Sequence, residues 1–437
     1  MHEDKIFARC ARRLIPFMVV LYTFAWLDRV NVGFAALTMN RDLGFSPTVF
    51  GFGASVFFLG YFAFQVPANL LLARIGVRLW ISCIVLIWGA LSAANAFVES
   101  PLAFYVLRFL LGVAEAGLFP GMIFYLTLWF PEAYRARFTA VFMTAIPLAN
   151  IIGGPVSSLI LEFDGIAGLR GWQWLFLVEG LPACVLALAV PKLMPNSPAE
   201  APWLDEREKA MISARLATED AAKRSDFWPT LRDRRVLVLC LGNFGIGFGG
   251  YGISIWLPQI LQSIGYSNLA IGFVVAFLSV MGMAAMIAWG RSSDRRGERI
   301  WHVSLPLLVA AAGLVVVAVP QSAPISLVAF TFIVVGLLAA DGPFYSLPSA
   351  FLGGVAAAGG IALINAVGSL GAFAGPFVIG VLREETGGYG AGMLALAVCF
   401  ALTALLVLTL GRSMVARAIF LPSVDPAEPD VRGRRQP

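Results

Sequence analysis

Charged residues are scarce in this sequence: Asp, Glu, Lys and Arg make up 13% of the 437 residues, whereas 59% are hydrophobic. Soluble chains carry about 25% charged residues. So low a charge content leaves too little polar surface to keep a chain of this size in water, and it excludes the soluble globular class. About 20 consecutive apolar residues let a helix cross a bilayer, and many stretches here reach that length. We therefore predict an all-α membrane protein.

Histidine is nearly absent, and the cysteines never occur in CxxC pairs. His2 and His302 lie near predicted loop ends, which excludes a histidine relay or metal site deep in the membrane. We interpret the five isolated cysteines as small packing residues: Cys10, Cys83, Cys184, Cys240 and Cys399. The sequence also lacks a nucleophile paired with a base and a phosphate-binding loop. It therefore predicts no enzyme, no cofactor and no metal.

Twelve apolar stretches separated by charged or Pro/Gly-rich turns are predicted to span the membrane. The first six are 14–37, 49–72, 79–98, 102–129, 138–161 and 172–191, and the second six are 236–262, 270–289, 302–320, 324–346, 355–382 and 389–411. The spans predict two six-helix bundles, 1–191 and 236–412. The polar segment 192–235 is predicted to be a cytoplasmic linker, and the Pro- and Arg-rich end, 413–437, a disordered cytoplasmic tail.

Basic residues collect in alternate connections between the predicted spans. They are Lys5, Arg9, Arg12 and Arg13, then Arg74 and Arg78, then Arg135 and Arg137, then the linker, then Arg291, Arg295, Arg296 and Arg299. The positive-inside rule then places both termini in the cytoplasm. The net charge of +5 is explained by topology, so no nucleic-acid partner is expected. The first apolar stretch is too long for a cleavable signal peptide.

A repeated loop motif follows spans two and eight. Gly290 to Arg299 aligns with Asn69 to Arg78. The candidate gating residues are Asp294, Arg295, Gly297 and Arg299 in the second copy and Arg74 and Gly76 in the first. The second copy resembles the G-x-x-x-D-R-x-G-x-R signature of the major facilitator superfamily. Asp294 either forms a gate with helix N-termini and arginines of the other bundle or simply ends the helix and sets topology. The first copy has Ala73 in place of the acid.

Ionisable residues inside predicted spans are costly, and persist when they are paired or face a wet cavity. They are Asp28 and Arg29 in span one, Arg108 and Glu115 in span four, Glu179 in span six and Asp341 in span ten. With no histidine available, Asp28 and Glu115 are the candidate proton carriers. Because the second half holds almost no buried charge, a carboxylate substrate is favoured over a phosphorylated one. The alternative is a static ion-pair network that stabilises helix packing.

Helical geometry predicts how these groups are arranged. Arg108 and Glu115 are seven residues apart, so they share one face of span four. Asp28 is expected to face span four and complete that cluster, which leaves Arg29 to clamp a substrate carboxylate in the cavity. Other polar candidates for the cavity, each also explicable as a contact between helices, are Tyr61, Gln65, Tyr125, Asn150, Tyr345 and Asn365.

Two charged stretches, Leu27 to Ala35 and Arg108 to Gly121, resemble the anion:cation symporter family of the major facilitator superfamily, as do 172–182 and 360–365. The resemblance covers nearly all of 10–412. It implies a twelve-helix, alternating-access fold and import of sugar acids, tartrate or aromatic acids with protons in a bacterial inner membrane. By this similarity Asp28 and Glu115 carry protons and Arg108 tunes Glu115.

The same resemblance implies which residues contact substrate: Arg29, Tyr61, Tyr345 and Asn365, to which the charge pattern adds Asp341. Ile146, Pro147 and Gly342 replace polar residues of the sugar-acid members, which favours a dicarboxylate or aromatic acid. Two other functions are weighed against proton-coupled import: an anion exchanger or facilitator without proton coupling, and a membrane sensor or scaffold, which the lack of a sizeable polar domain disfavours. We expect a monomer.

Overall fold

The computed structural model describes residues 2–220, 233–348 and 354–420, and these form helices joined by short turns. The α-helices are α1 (His2–Leu43), α2 (Pro47–Ile75), α3 (Val77–Ala94), α4 (Pro101–Glu115), α5 (Leu118–Trp129), α6 (Glu132–Met143), α7 (Ala145–Leu161), α8 (Gly171–Leu193), α9 (Glu206–Asp220), α10 (Arg234–Ser263), α11 (Asn268–Arg296), α12 (Ile300–Val317), α13 (Ala323–Ser346), α14 (Gly354–Thr386) and α15 (Gly390–Phe420).

Within the described residues, twelve helical segments are long and apolar enough to cross a membrane, which confirms the predicted number of spans. Span four consists of α4 and α5, and span five of α6 and α7. Both predicted spans are present, and each is interrupted by a short break in the helix. Proline explains both breaks, because its ring clashes with the carbonyl four residues earlier. The break at Ala116 lies four residues before Pro120, and Met143, the last residue of α6, lies four residues before Pro147.

The first helix begins well before the predicted start of span one, and its polar N-terminal part contacts the linker. Arg9 donates to both carboxylate oxygens of Glu208, at 3.2 Å and 2.9 Å. The Arg13 guanidinium lies 5.2 Å from the ring centre of Trp203. The described part of the linker, which contains α9, is therefore attached to the first bundle. Linker residues 221–232 lie outside the described residues.

The two halves of the chain meet along three helix pairs, α2 with α14, α7 with α11, and α1 with α10. Glycine permits this approach: a β-carbon added to Gly51 would lie 2.9 Å from the carbonyl oxygen of Pro376, and one added to Gly154 would lie 2.6 Å from that of Gly272. Such distances are too short for any larger side chain without movement of the backbone. The helices of the two halves are therefore in direct backbone contact.

Hydrogen bonds join the halves where α1 ends and α2 begins, a region we call the closed end. The Glu384 carboxylate on α14 accepts from the Ser46 hydroxyl at 2.8 Å and from the Thr48 N–H at 2.9 Å, so it caps the N-terminus of α2. Gln259 accepts from the Asn40 side chain at 3.3 Å. At the chain's other extreme, α15 continues to Phe420, past the predicted start of the tail. Residues 421–437 lie outside the described residues.

Candidate functional site

The centre of the candidate site is an ion pair between Arg29 on α1 and Glu115 at the end of α4. Arg29 Nε lies 2.8 Å from Glu115 Oε2, and the two side chains are 5% and 0% exposed. A buried pair of this kind is retained only if its attraction offsets the loss of water from both groups. Arg29 Nη2 and Glu115 Oε1 have no hydrogen-bond partner within the part of the chain that the structure describes. The pair therefore has unused donor and acceptor capacity.

Aromatic rings surround the Arg29 guanidinium. Its carbon lies 4.9 Å from the ring centre of Tyr61 and 5.7 to 6.0 Å from those of Phe57, Trp26 and Tyr22. Cation–π attraction stabilises the charge where water is excluded. Tyr61, which the sequence predicted at the site, thus lies beside the arginine.

Tyr251 extends this aromatic site into the second half of the chain. Its ring centre is 4.4 Å from that of Phe58 on α2 and 5.7 Å from that of Trp26 on α1. Sequence reasoning missed Tyr251 because it interpreted the glycine-rich run from Gly242 to Gly252 as a packing and bending surface. A hydroxyl-bearing aromatic within an otherwise uncharged span was the available signal. Both halves therefore contribute to the site.

Asp28 does not face span four, and this prediction was wrong. Its carboxylate accepts hydrogen bonds from Trp88, from the Ser92 hydroxyl at 2.5 Å and from the Asn31 amide at 3.1 Å. Trp88 and Ser92 lie on α3, and successive helical residues point about 100° apart. Because Arg29 takes the direction toward α4, Asp28 is turned toward α3.

Arg108, which was predicted to share one face of span four with Glu115, does not pair with it directly. Its Nη1 donates to the backbone carbonyl of Asp28 at 3.3 Å, and its guanidinium carbon lies 5.2 Å from the centre of the Phe57 ring. Seven residues of helix separate Arg108 from Glu115 by about 10 Å along the axis, and Arg29 already occupies the carboxylate. Within the described residues, Arg108 Nε and Nη2 have no hydrogen-bond partner.

In the second half, Asn243 on α10 contacts the predicted site residue Tyr345 and the backbone next to Asn365. The Tyr345 hydroxyl donates to Asn243 Oδ1 at 3.2 Å, and the Asn243 amide donates to the carbonyl of Ile364, next to Asn365, at 2.9 Å. Tyr345 is 43% exposed. Asp341 and Asn365 are half-buried. The structure thus brings Tyr345 together with the residue before Asn365, and Asn243 is a further polar residue missed from the sequence.

The predicted gating loop is organised by contacts within itself. Asp294 pairs with Arg299 at 2.6 Å, and Arg299 also donates to the Ser293 hydroxyl at 2.8 Å. Gly297 ends α11 in the left-handed conformation that glycine favours, at φ 62°. Arg295 lies in the last turn of the same helix. These contacts are those of a helix end, and the partner of Asp294 belongs to its own loop and not to the other bundle.

The first copy of the loop motif contacts the segment that follows span six. Gly76 lies between α2 and α3 at φ 84°, and the N–H of Arg78 donates to the Asn196 side chain at 3.0 Å. Arg74 is exposed. Asn196 belongs to the linker, so the partner of this loop does not come from the second bundle.

Burial raises the pKa of Glu298 in the second loop, but hydrogen bonds from the His302 ring and from the N–H groups of Trp301 and His302 outweigh that effect. The pKa of Glu298 is consequently below its ordinary value of 4.5. The carboxylate lies at the start of α12, where a negative charge interacts favourably with the helix dipole.

Twelve spans in two halves, with an arginine–carboxylate pair among aromatic rings contributed from both halves, define a membrane transporter of small molecules. Residues 18–376 match the model of the Major Facilitator Superfamily, and the chain belongs to that superfamily. The resemblance predicted from the sequence is thereby confirmed. The superfamily consists of transporters and not of enzymes.

Two relatives and one solved structure are similar over almost the whole chain. The chain is 45% identical over 414 residues to a protein of Agrobacterium vitis named "Putative tartrate transporter", covering 94% of this chain and 92% of that protein. It is 39% identical over 401 residues to the "Quinolone resistance transporter" of Acinetobacter baumannii, covering 91% and 92%. The crystal structure of a bacterial homologue of the human lysosomal transporter Spinster, inward-facing and occupied, has a TM-score of 0.76 at 17% identity, covering 92% and 97%. That structure supports the fold alone.

Proposed function

We propose that this transporter imports a small organic anion, a carboxylate such as tartrate, a sugar acid or an aromatic acid, together with protons. The observation that carries the proposal is the buried pair of Arg29 and Glu115, 2.8 Å apart. The relative named for tartrate supports a carboxylate substrate.

Competition for Arg29 couples the anion to the proton in this proposal. While Glu115 is ionised it occupies the guanidinium, so a substrate carboxylate meets an arginine that is already neutralised. A proton on Glu115 removes that competitor and frees Arg29 to bind the substrate through two parallel hydrogen bonds. Binding of the proton therefore favours binding of the anion, and the reverse follows from linkage. Asp28 is the second proposed proton carrier, and Arg108 adjusts both carboxylates.

The remaining proposed contacts lie on either side of Arg29. Tyr61 borders the guanidinium, whereas Tyr345, Asn365 and Asp341 would contact the substrate from the second half. Alternating access would require the closed end to separate, so the bonds that Glu384 accepts from Ser46 and Thr48 would break in each cycle. We further propose that the protein acts as a monomer in the bacterial inner membrane, with both termini and the linker in the cytoplasm.

The relative named for quinolone resistance favours a second candidate function, export of an organic anion by the same site. The third alternative is an anion exchanger or facilitator that is not coupled to protons. The direction of the proton gradient separates these functions. Import by symport needs protons on the side from which substrate enters, whereas proton-driven export needs them on the opposite side.

The decisive experiment measures uptake of labelled tartrate, sugar acids and aromatic acids into proteoliposomes under an inward, an outward or no proton gradient. Symport predicts that one acid accumulates with the inward gradient, and that Glu115→Gln and Asp28→Asn abolish accumulation but retain exchange of labelled for unlabelled acid. Glu162→Gln, a change at an exposed carboxyl, is the matched control. If uptake does not depend on the proton gradient, exchange replaces symport as the proposed function. If the outward proton gradient stimulates uptake, export is favoured.

A further inference from the structure

The first half of the chain buries three carboxyl groups and two guanidinium groups close together. Asp28, Glu115 and Glu179 are 1%, 0% and 3% exposed, and Arg29 and Arg108 are 4% and 0% exposed. If all five were ionised, three negative charges would face two positive charges. An uncompensated charge in an apolar bundle is expensive, and protonation removes it. One of the three carboxyl groups is therefore expected to carry a proton.

Glu179 on α8 has the weakest stabilisation of its ionised form. Glu115 is paired with Arg29, and Asp28 accepts hydrogen bonds from three donors. Glu179 Oε1 accepts only from the Ser157 hydroxyl, at 2.6 Å. Within the described residues, Glu179 forms no ion pair, because no lysine or arginine nitrogen lies within 4.0 Å of its carboxylate. The charge balance therefore places the proton on Glu179.

One unsatisfied atom supports the same placement. Glu179 Oε2 is buried and has no hydrogen-bond partner among the described residues. An ionised carboxylate oxygen without a donor is costly in an apolar bundle. A proton on the carboxyl group removes the charge and with it that cost.

The polar groups around Glu179 come from the neighbouring helices. The amide nitrogen of Asn31 donates to Asp28 Oδ1 at 3.1 Å. Helix α8 packs against α1, α3 and α7. From these helices Asp28 and Asn31 on α1, Ser92 on α3 and Ser157 on α7 form the polar surroundings, and Asp28 is the ionisable member.

We propose that Glu179 holds the proton of this buried cluster. The position of this proton does not depend on the proposed transport function and is tested separately from it.

Infrared spectroscopy of the purified protein in lipid tests the proton directly. At neutral pH the parent should show the C=O stretch of a protonated carboxyl group, and Glu179→Gln should remove it. Asp28→Asn, Glu115→Gln and the control Glu162→Gln should retain it. Ser157→Ala should shift its frequency, because one hydrogen bond to the carboxyl is lost. A band that survives Glu179→Gln, or the absence of such a band from the parent, would overturn the assignment.

Discussion

Arg29 combines two kinds of interaction in one side chain, an ion pair with Glu115 and contact with aromatic rings from α1 and α2. Its Nη2 group has no hydrogen-bond partner among the described residues. The planar guanidinium makes this combination feasible, since one edge pairs with a carboxylate while its face lies on a ring. A lysine ammonium would preserve the charge and lose both the fork and the stacking. The geometry of the group therefore matters beyond its charge.

At the residue scale we predict that Arg29→Lys raises the KM for the transported acid by about tenfold or more, because a bidentate contact becomes a single one. Initial uptake rates in proteoliposomes measure the effect. Arg41→Lys, at a position whose side chain is 80% exposed, is the control. An unchanged KM in Arg29→Lys would exclude Arg29 from direct contact with the substrate.

At the scale of elements, helix ends are organised by carboxylates that accept from backbone N–H groups. Glu384 does this for α2 from the opposite half of the chain, whereas Glu298 does it for α12 from the adjacent loop. Glu298 accepts from the N–H of Trp301 at 2.7 Å and of His302 at 3.2 Å. The loop after α11 thus stabilises the beginning of the next span.

The lowered pKa of Glu298 predicts a stability that depends on pH. A carboxyl whose pKa is lower when folded than when unfolded stabilises the fold above the unfolded value, and this contribution is lost as pH falls below about 4.5 toward the folded pKa. Glu298→Gln should therefore lower the Tm of the purified protein by a few degrees at neutral pH. The difference from the parent should shrink as pH falls below that value. Glu385→Gln, an exposed neighbour of the closed end, should match the parent throughout; an equal effect from both variants would contradict the prediction.

At the scale of the whole molecule, the closed end must open if the two halves alternate in access. Ser46 and Glu384 lie on opposite halves with their side chains 2.8 Å apart. We predict that cysteines at both positions, joined by a short bifunctional thiol reagent that reducing agent can cleave, stop transport reversibly. Each single cysteine variant treated with the same reagent is the control. Continued transport by the joined protein would show that this end need not separate.

Composition and local periodicity by themselves determined the class and the twelve spans, because each span needs a long apolar helix to cross the bilayer regardless of its neighbours. They also identified the buried charges, since such residues are conspicuous in apolar stretches. The partners of those charges were decided only by tertiary structure. Whether Asp28 faces α3 or α4, and whether Arg29 or Arg108 pairs with Glu115, depends on how the helices are rotated about their axes. That rotation is set by packing between residues far apart in the chain, as with Tyr251, so the local pattern of sequence does not contain it.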